Sequence, residues 1–169
     1  YGKPRVDLEM LRSHHEGLIA LSACLAGAIP QYLMEEDYAS AKKYALEMAD
    51  IFGPGNFYLE LQDHGIEEQR PVNQGVMRIS RETGLPLVVT NDVHYTYDTD
   101  VESHDILLCI QTGKKLADED RMRYEGGQYY VKSEMEMREL FPYAQEAITN
   151  TAMIAERCNV EIEFGVTKL

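Results

Sequence analysis

The sequence has little positive charge, few cysteines and no long apolar run. Lys and Arg number 16 against 29 Asp and Glu, so the 169 residues carry a net charge of −13. A segment this acidic is not expected to wrap a nucleic-acid phosphate backbone by itself, and it suits a cation site better. No apolar run has transmembrane length, and no basic and then apolar stretch marks a signal peptide. We therefore expect no membrane contact and a cytoplasmic location.

The cysteines and the absence of several motifs narrow the class of protein to which the chain could belong. The three cysteines, Cys24, Cys109 and Cys158, are odd in number and widely spaced, which favours reduced thiols over a disulfide framework. A P-loop, a dinucleotide-binding glycine fingerprint and a Gly-x-Ser-x-Gly turn are all absent. The length suits one domain with a core of its own. Because the chain opens on Tyr1 rather than Met, we expect it to be a piece of a longer protein.

The first half of the sequence alternates between strand and helix patterns. Short apolar runs predict strands at 18–22, 57–61 and 86–90. Between them, apolar residues at steps of three and four predict helices at 37–52 and 67–83. Helical connections of this length imply parallel neighbouring strands, and the apolar run 86–90 is typical of a buried parallel strand.

The second half has a different pattern, which predicts a mostly helical C-terminal part. Helices are expected at 100–111 and 143–158, with a polar excursion at 112–127 and a short strand at 129–131. Ser133 and Glu136 have the spacing of a capping box, which starts a further helix. The fold class is therefore α/β, with parallel strands, helical crossovers and a helical C-terminal part.

Metal-binding and acid–base residue types follow each of the three predicted strands. Their positions at the strand ends matter because ligands of parallel α/β sheets and barrels bind where the carboxyl ends of the strands converge. The residues are Cys24 after the first strand, Glu60, Asp63 and His64 at the second, and Asp92 and His94 after the third.

Asp92 and His94 form the sharpest pair among these residues. In an extended chain the side chains of residues i and i+2 point to the same side, so a carboxylate and an imidazole could bind one cation. The alternative is that Asp92 caps a turn and His94 is an ordinary surface residue. Cys24 is either a thiolate ligand beside them or a small buried packing residue. A Cys, His and Asp set would suit zinc or another borderline divalent ion.

The residues around the second strand have several open roles. Glu60 lies near the end of that strand, and Asp63 and His64 lie in the turn that follows. His64 could be a ligand, a donor to a ligand or a contact to phosphate, whereas Asp63 suits an ordinary polar turn. We therefore take Glu60 and His64 as candidates for the rim of a site or for contacts behind its ligands.

Six segments of the chain resemble the PHP (polymerase and histidinol phosphatase) domain of bacterial replicative DNA polymerase III alpha subunits. They occur in order and with close spacing over nearly the whole sequence: 17–27 (GLIALSACLAG), 57–65 (FYLELQDHG), 89–95 (VTNDVHY), 107–113 (LLCIQTG), 130–133 (YVKS) and 155–160 (AERCNV). The resemblance implies that residues 1–169 are the C-terminal portion of a single PHP domain. The fold it implies is a distorted parallel β/α barrel, present here in part.

The resemblance also implies a function and a set of ligands. Cys24, Asp92 and His94 match three metal-ligand positions of the family, and the metal would be zinc, manganese or magnesium. The complete domain resembles a metal-dependent phosphoesterase with a 3′–5′ exonuclease role, within a DNA-directed DNA polymerase. Partners would be DNA, reached through that polymerase, and replicase subunits such as an exonuclease and the sliding clamp.

This sequence departs from the family pattern in one important respect. The family's site begins with a His-x-His, followed by further Asp, His and Glu ligands, and His14-His15 does not match that motif. The polymerase aspartates are also absent from the chain. We therefore expect the segment alone to be inactive and to bind metal weakly or not at all.

Two other functions remain open at this point. The first is a stand-alone PHP phosphatase that acts on a small phosphate ester such as histidinol phosphate. The second is a non-catalytic scaffold that docks an exonuclease partner. The long polymerase-like segments and the excursion taken as 112–131 speak against the phosphatase, and the presence of Cys24, Asp92 and His94 speaks against a fully lost metal site.

Overall fold

A computed structural model describes residues 4–165 of the chain. A three-stranded parallel sheet has the order β1-β2-β3, with strands Ala20–Leu21, Phe57–Leu61 and Leu87–Val89. The seven α-helices of this region, α1 to α7, are Leu8–Ser13, Ala28–Met34, Tyr38–Phe52, Gln69–Thr83, Val101–Thr112, Glu134–Leu140 and Gln145–Arg157. The predicted α/β class with parallel strands is confirmed, and in the described region the sheet is open.

Local sequence signals set several helix ends. The Asp37 side chain accepts the N–H of Ser40 at the start of α3, and Gly84 adopts the left-handed conformation that ends α4. The predicted capping box is also present, because the Ser133 hydroxyl and the Glu136 carboxylate each accept the other residue's backbone N–H.

The central strand β2 lies at the heart of the core. Phe57, Leu59 and Leu61 are almost fully buried, and α3 and α4 contact β2. On the far edge, α7 packs against β3, where the Asn150 side chain donates a hydrogen bond of 2.7 Å to the Leu87 carbonyl. The core therefore fixes the positions of the three strands, and with them the positions of their carboxyl ends.

The predicted strand at 129–131 is wrong. Within residues 4–165 it is reduced to a single parallel bridge between Tyr130 and Tyr95. The Tyr129 carbonyl accepts the N–H groups of both His94 and Tyr95, and the Asn91 side chain donates to the Tyr130 carbonyl. The segment therefore docks on the loop that follows β3 instead of extending the sheet edge.

No helix in residues 4–165 is long and apolar enough to cross a membrane.

Gly27 makes the close turn between β1 and α2. Its N–H donates to the Cys24 carbonyl at 2.8 Å, and a Cβ placed on it would lie 2.5 Å from the Ser22 carbonyl oxygen. Because that neighbour is backbone, Gly27→Ala should lower the free energy of unfolding by about 1–3 kcal/mol, as overpacking does. Chemical denaturation measures this difference.

The matched control lies in the same turn. Ala26 is exposed, so Ala26→Ser should change the free energy of unfolding by less than about 0.5 kcal/mol. Equal stability of Gly27→Ala and the wild type would contradict the close approach.

Candidate functional site

The Glu60 carboxylate links the carboxyl ends of all three strands. One oxygen accepts the N–H of Ala23, two residues after the end of β1, at 3.0 Å. The other accepts hydrogen bonds from the Gln62 side chain at 3.1 Å and from the Thr90 hydroxyl, directly after β3. The Glu60 N–H in turn donates to the Ser22 hydroxyl at 2.8 Å. We call Ser22, Glu60, Gln62 and Thr90 the strand-end network.

The network holds the turn that carries Cys24. Ala23 has a φ of 69°, a left-handed conformation that non-glycine residues rarely adopt, and its N–H is the one bound by Glu60. Cys24 itself is half-buried, and it lines a small cavity with mixed walls: Glu60, Gln62, Gln69 and Asn73 are polar, and Ala23, Leu25, Pro30 and Val72 are apolar. Cys24 therefore has polar as well as apolar neighbours.

The backbone at Asp92 differs from the extended geometry that the sequence argument assumed. β3 ends at Val89, and Asp92 has a φ of 42°. The preceding residue is firmly held: the Asn91 side chain donates to the carbonyls of Gln128 at 3.0 Å and Tyr130 at 2.7 Å. These bonds offset the cost of the left-handed residue. The assumption of an extended i, i+2 pair is therefore wrong for Asp92 and His94.

The same backbone turn selects the tautomer of His94. Nδ1 of His94 lies 2.6 Å from the Asp92 carbonyl oxygen. Because a carbonyl only accepts hydrogen bonds, Nδ1 carries a proton, and in the neutral imidazole Nε2 then carries the lone pair. Metal-binding histidines are commonly oriented by such a bond through their other ring nitrogen. Whether His94 binds a cation through Nε2 stays a prediction.

His94 and five other rings form a connected group beside the Asp92 turn, and we call the six the ring cluster: His64, His94, Tyr95, His104, Tyr124 and Tyr129. His94 lies 4.1 Å from Tyr124 and 5.7 Å from His104, measured between ring centroids. His64 stacks on Tyr129 at 4.1 Å with an interplanar angle of 7°. The cluster joins residues from the turn after β2, the loop after β3, α5 and the segment 124–129, which are far apart in the sequence.

Asp92 and Cys24 both influence the pKa values of two tyrosines of this cluster. Burial raises the pKa of the Tyr124 phenol, and Asp92 and then Cys24 raise it further. The pKa of Tyr129 is raised chiefly by burial, and both Asp92 and Cys24 contribute there as well. The two groups thus lie close enough to the same two phenols to influence them both.

His64 is buried with both ring nitrogens engaged. Its Nε2 donates to the Asn91 carbonyl at 2.9 Å, and its Nδ1 accepts from the Gln69 side chain at 2.9 Å. Burial lowers the pKa of the imidazole, although the bond to Asn91 opposes this shift. His64 therefore has no ring nitrogen left for a metal ion, and it supports the backbone directly before Asp92.

Three residues at this end of the sheet were not predicted from the sequence. Tyr124 and His104 belong to the ring cluster, and burial together with the nearby His94 lowers the pKa of His104. Lys132 lies 4.1 Å from the centroid of the Tyr130 ring, with its Nζ 3.4 Å from Asn91 Oδ1. No sequence motif marks these three residues, because their contacts form only when the later part of the chain folds back onto the loop that follows β3.

The donor atoms of the candidate residues are of the types that bind divalent metals, but they do not form a complete metal-binding group. Cys24, Asp92 and His94 offer sulfur, carboxylate oxygen and imidazole nitrogen, a set that fits zinc or a similar ion. Within residues 4–165, however, no three His, Cys, Asp or Glu side chains lie close enough together to hold a metal ion. We therefore derive no reaction step through a metal from this chain alone.

Comparison with known proteins gives consistent matches. Residues 1–64 match the PHP domain family. The chain is 44% identical to DNA polymerase III subunit alpha of Treponema pallidum over 96% of its own length and to that of Borreliella burgdorferi over 99%. It is 42% identical to that of Thermus aquaticus over 98%. The resemblance predicted from the sequence is therefore confirmed. The chain spans about 14% of the length of these relatives.

The strand-end network predicts a specific dependence on the Glu60 carboxylate. In Glu60→Gln an amide –NH2 group replaces one acceptor oxygen and faces donors, so at least one donor of the network loses its partner. The free energy of unfolding should fall by about 1–3 kcal/mol, measured by chemical denaturation. Glu67→Gln changes an exposed carboxylate close by and should leave stability near that of the wild type. Equal effects of the two substitutions would contradict the network.

The burial of His64 predicts an acid-sensitive fold. Its pKa in the folded state is lowered, so the unfolded chain binds the proton more readily, and stability falls as the pH drops below about 6.5, the usual histidine value. His64→Gln should reduce this pH dependence between about pH 7 and 5. The measurement is the free energy of unfolding against pH for the variant and the wild type. Identical slopes in the two proteins would contradict the assignment.

Proposed function

We propose that this chain, whose residues 1–64 match the PHP domain family, contributes part of a metal-dependent phosphoesterase site to a DNA polymerase III alpha subunit. Cys24 Sγ, an Asp92 carboxylate oxygen and His94 Nε2 are the proposed ligands. The observation that carries the proposal is the hydrogen bond from His94 Nδ1 to the Asp92 carbonyl. With Nδ1 engaged in this way, Nε2 is the nitrogen that would bind the metal ion.

The residues of the chain have separate parts in such a site. A bound divalent ion would supply Lewis acidity and lower the pKa of a coordinated water. Cys24, Asp92 and His94 would bind the ion. Glu60 and His64 would hold the two turns that carry these ligands, through Ala23 and Asn91 respectively. The thiolate favours zinc, and the carboxylate also allows manganese or magnesium.

The further properties of the parent protein belong to the same proposal. They are DNA-directed DNA polymerase activity, a 3′–5′ exonuclease role of the complete PHP domain, contacts with an exonuclease subunit and a sliding clamp, and a cytoplasmic location. The net charge of −13 makes it unfavourable for this segment to hold DNA directly, so we assign the main DNA contacts to other parts of that protein. The segment alone is proposed to be inactive, since its ligand set is incomplete.

A non-catalytic scaffold is the second candidate function. One observation favours it: in residues 4–165 the candidate donors do not assemble into a metal group. A stand-alone phosphatase that acts on a small ester has less support, because the relatives compared above are named as polymerase subunits. The metal content of the full-length protein separates the scaffold from the phosphoesterase.

The decisive experiment is a cobalt titration of the full-length protein. Cobalt reports thiolate ligation through a sulfur-to-metal charge-transfer band, which should be present in the wild type and absent in Cys24→Ser. Asp92→Asn and His94→Gln should each weaken cobalt binding by at least roughly 10–100-fold, the loss that is usual when a residue that only supports a metal ligand is replaced. Nuclease activity should fall together with the metal affinity.

The matched control is Cys158→Ser, which removes an exposed thiol and should keep the band. A band that survives in Cys24→Ser would overturn the ligand assignment. A wild-type protein that binds no metal, and whose nuclease activity is unchanged by all three ligand variants, would establish the scaffold instead.

A further inference from the structure

The His94 imidazole is held by one hydrogen bond and by rings. The bond from Nδ1 to the Asp92 carbonyl fixes the position of one ring atom but leaves the ring plane free to turn about it. Tyr124 is the nearest ring, 4.1 Å from His94 between centroids, whereas Tyr129 and His104 lie at 5.6 and 5.7 Å and meet it edge-on. The plane of His94 is therefore set chiefly by Tyr124.

Tyr124 belongs to a stretch with little regular structure of its own. Between the end of α5 at Thr112 and the start of α6, the described backbone forms one short 3₁₀ turn, at Glu125–Gly127. A side chain on such a stretch keeps its place only if other contacts anchor it. The anchor must therefore come from outside the local backbone.

Arg121 supplies this anchor. Its guanidinium forms a bidentate ion pair with the Asp105 carboxylate on α5, with Nη2 2.7 Å from Oδ2, and its side chain is only 6% exposed. Its Nε also donates to the Leu116 carbonyl at 3.3 Å. Asp105 follows His104 in α5, so the ion pair joins the excursion to the helix beside the ring cluster. Bidentate geometry fixes direction as well as distance.

We propose that Tyr124 is a positioning residue that sets the ring plane of His94, and that the Asp105–Arg121 ion pair holds Tyr124 in place. The consequence for metal binding rests on the proposed function, whereas the positioning of the ring does not. The separation of 4.1 Å between the ring centroids of Tyr124 and His94 supports the assignment.

The first test measures ring position without metal. Nuclear magnetic resonance of the His94 ring in the metal-free chain should show a shift of its signals in Tyr124→Ala, with loss of contacts to residue 124. Tyr124→Phe keeps the aromatic ring, so it should keep the His94 signals at their wild-type positions and the contacts to residue 124. Arg121→Met should reproduce the shift seen in Tyr124→Ala, and so should Arg121→Lys, which keeps the charge but loses the bidentate geometry.

The matched control changes another cation of the same excursion. Lys114 pairs with Asp120 at 3.7 Å, and both side chains are exposed, so Lys114→Met should leave the His94 signals unchanged. The second readout is the cobalt affinity of the full-length protein. It should weaken by about 10-fold or more in Tyr124→Ala and Arg121→Met, and stay near wild type in Tyr124→Phe and Lys114→Met.

The outcomes separate this inference from the function on which part of it rests. Unchanged His94 signals in Tyr124→Ala would overturn the positioning role, and so would a shift of the same size in Lys114→Met. If the His94 signals shift as expected but the wild-type full-length protein binds no cobalt, the positioning role stands and the metal proposal fails.

Discussion

The carboxylate of Glu60 is the constraint on which the rest of this site depends. A sheet of short parallel strands brings three strand ends to one edge, but it does not determine how the turns beyond them are arranged. Glu60 does so by accepting hydrogen bonds from Ala23 and Thr90, which begin the turns after the two outer strands. Its half-buried position strengthens these bonds compared with the same bonds in water.

Hydrogen bonds at the strand ends hold two residues that have a left-handed backbone conformation. Ala23 precedes Cys24, and Asp92 is itself a proposed ligand; both have positive φ although neither is glycine. Such residues cost about 1–3 kcal/mol each and persist only when their surroundings determine them. The Glu60 carboxylate fixes the first, and the Asn91 bonds, backed by His64, fix the second. The hydrogen bonds at the strand ends thus hold the strained backbone at Ala23 and Asp92 in place.

The sequence predicts the framework well because its signals are local. Asp37 and the Ser133–Glu136 pair begin helices where the sequence predicts them, and the parallel direction of the strands follows from helical connections between apolar runs. The position of the candidate residues at the strand ends follows from the same reasoning. Whether Cys24, Asp92 and His94 bind metal stays a prediction.

The finer geometry was not predictable, because it depends on contacts between distant segments. An Asn-Asp-Val-His sequence does not reveal that Asp92 turns left-handed, since the bonds that hold Asn91 come from residues 128 and 130. The placement of Tyr124 requires the Asp105–Arg121 ion pair, whose residues are 16 positions apart. A polar excursion predicted only as surface structure therefore supplies a wall of the candidate site.

The most direct measurement of the central claim is X-ray absorption at the zinc edge of the zinc-loaded full-length protein. If Cys24, Asp92 and His94 share an ion, the spectrum contains sulfur scattering at about 2.3 Å together with nitrogen or oxygen at about 2.0–2.2 Å, and the sulfur component disappears when Cys24 is replaced by serine. A zinc environment of nitrogen and oxygen alone, or one that keeps its sulfur after that replacement, would contradict the account.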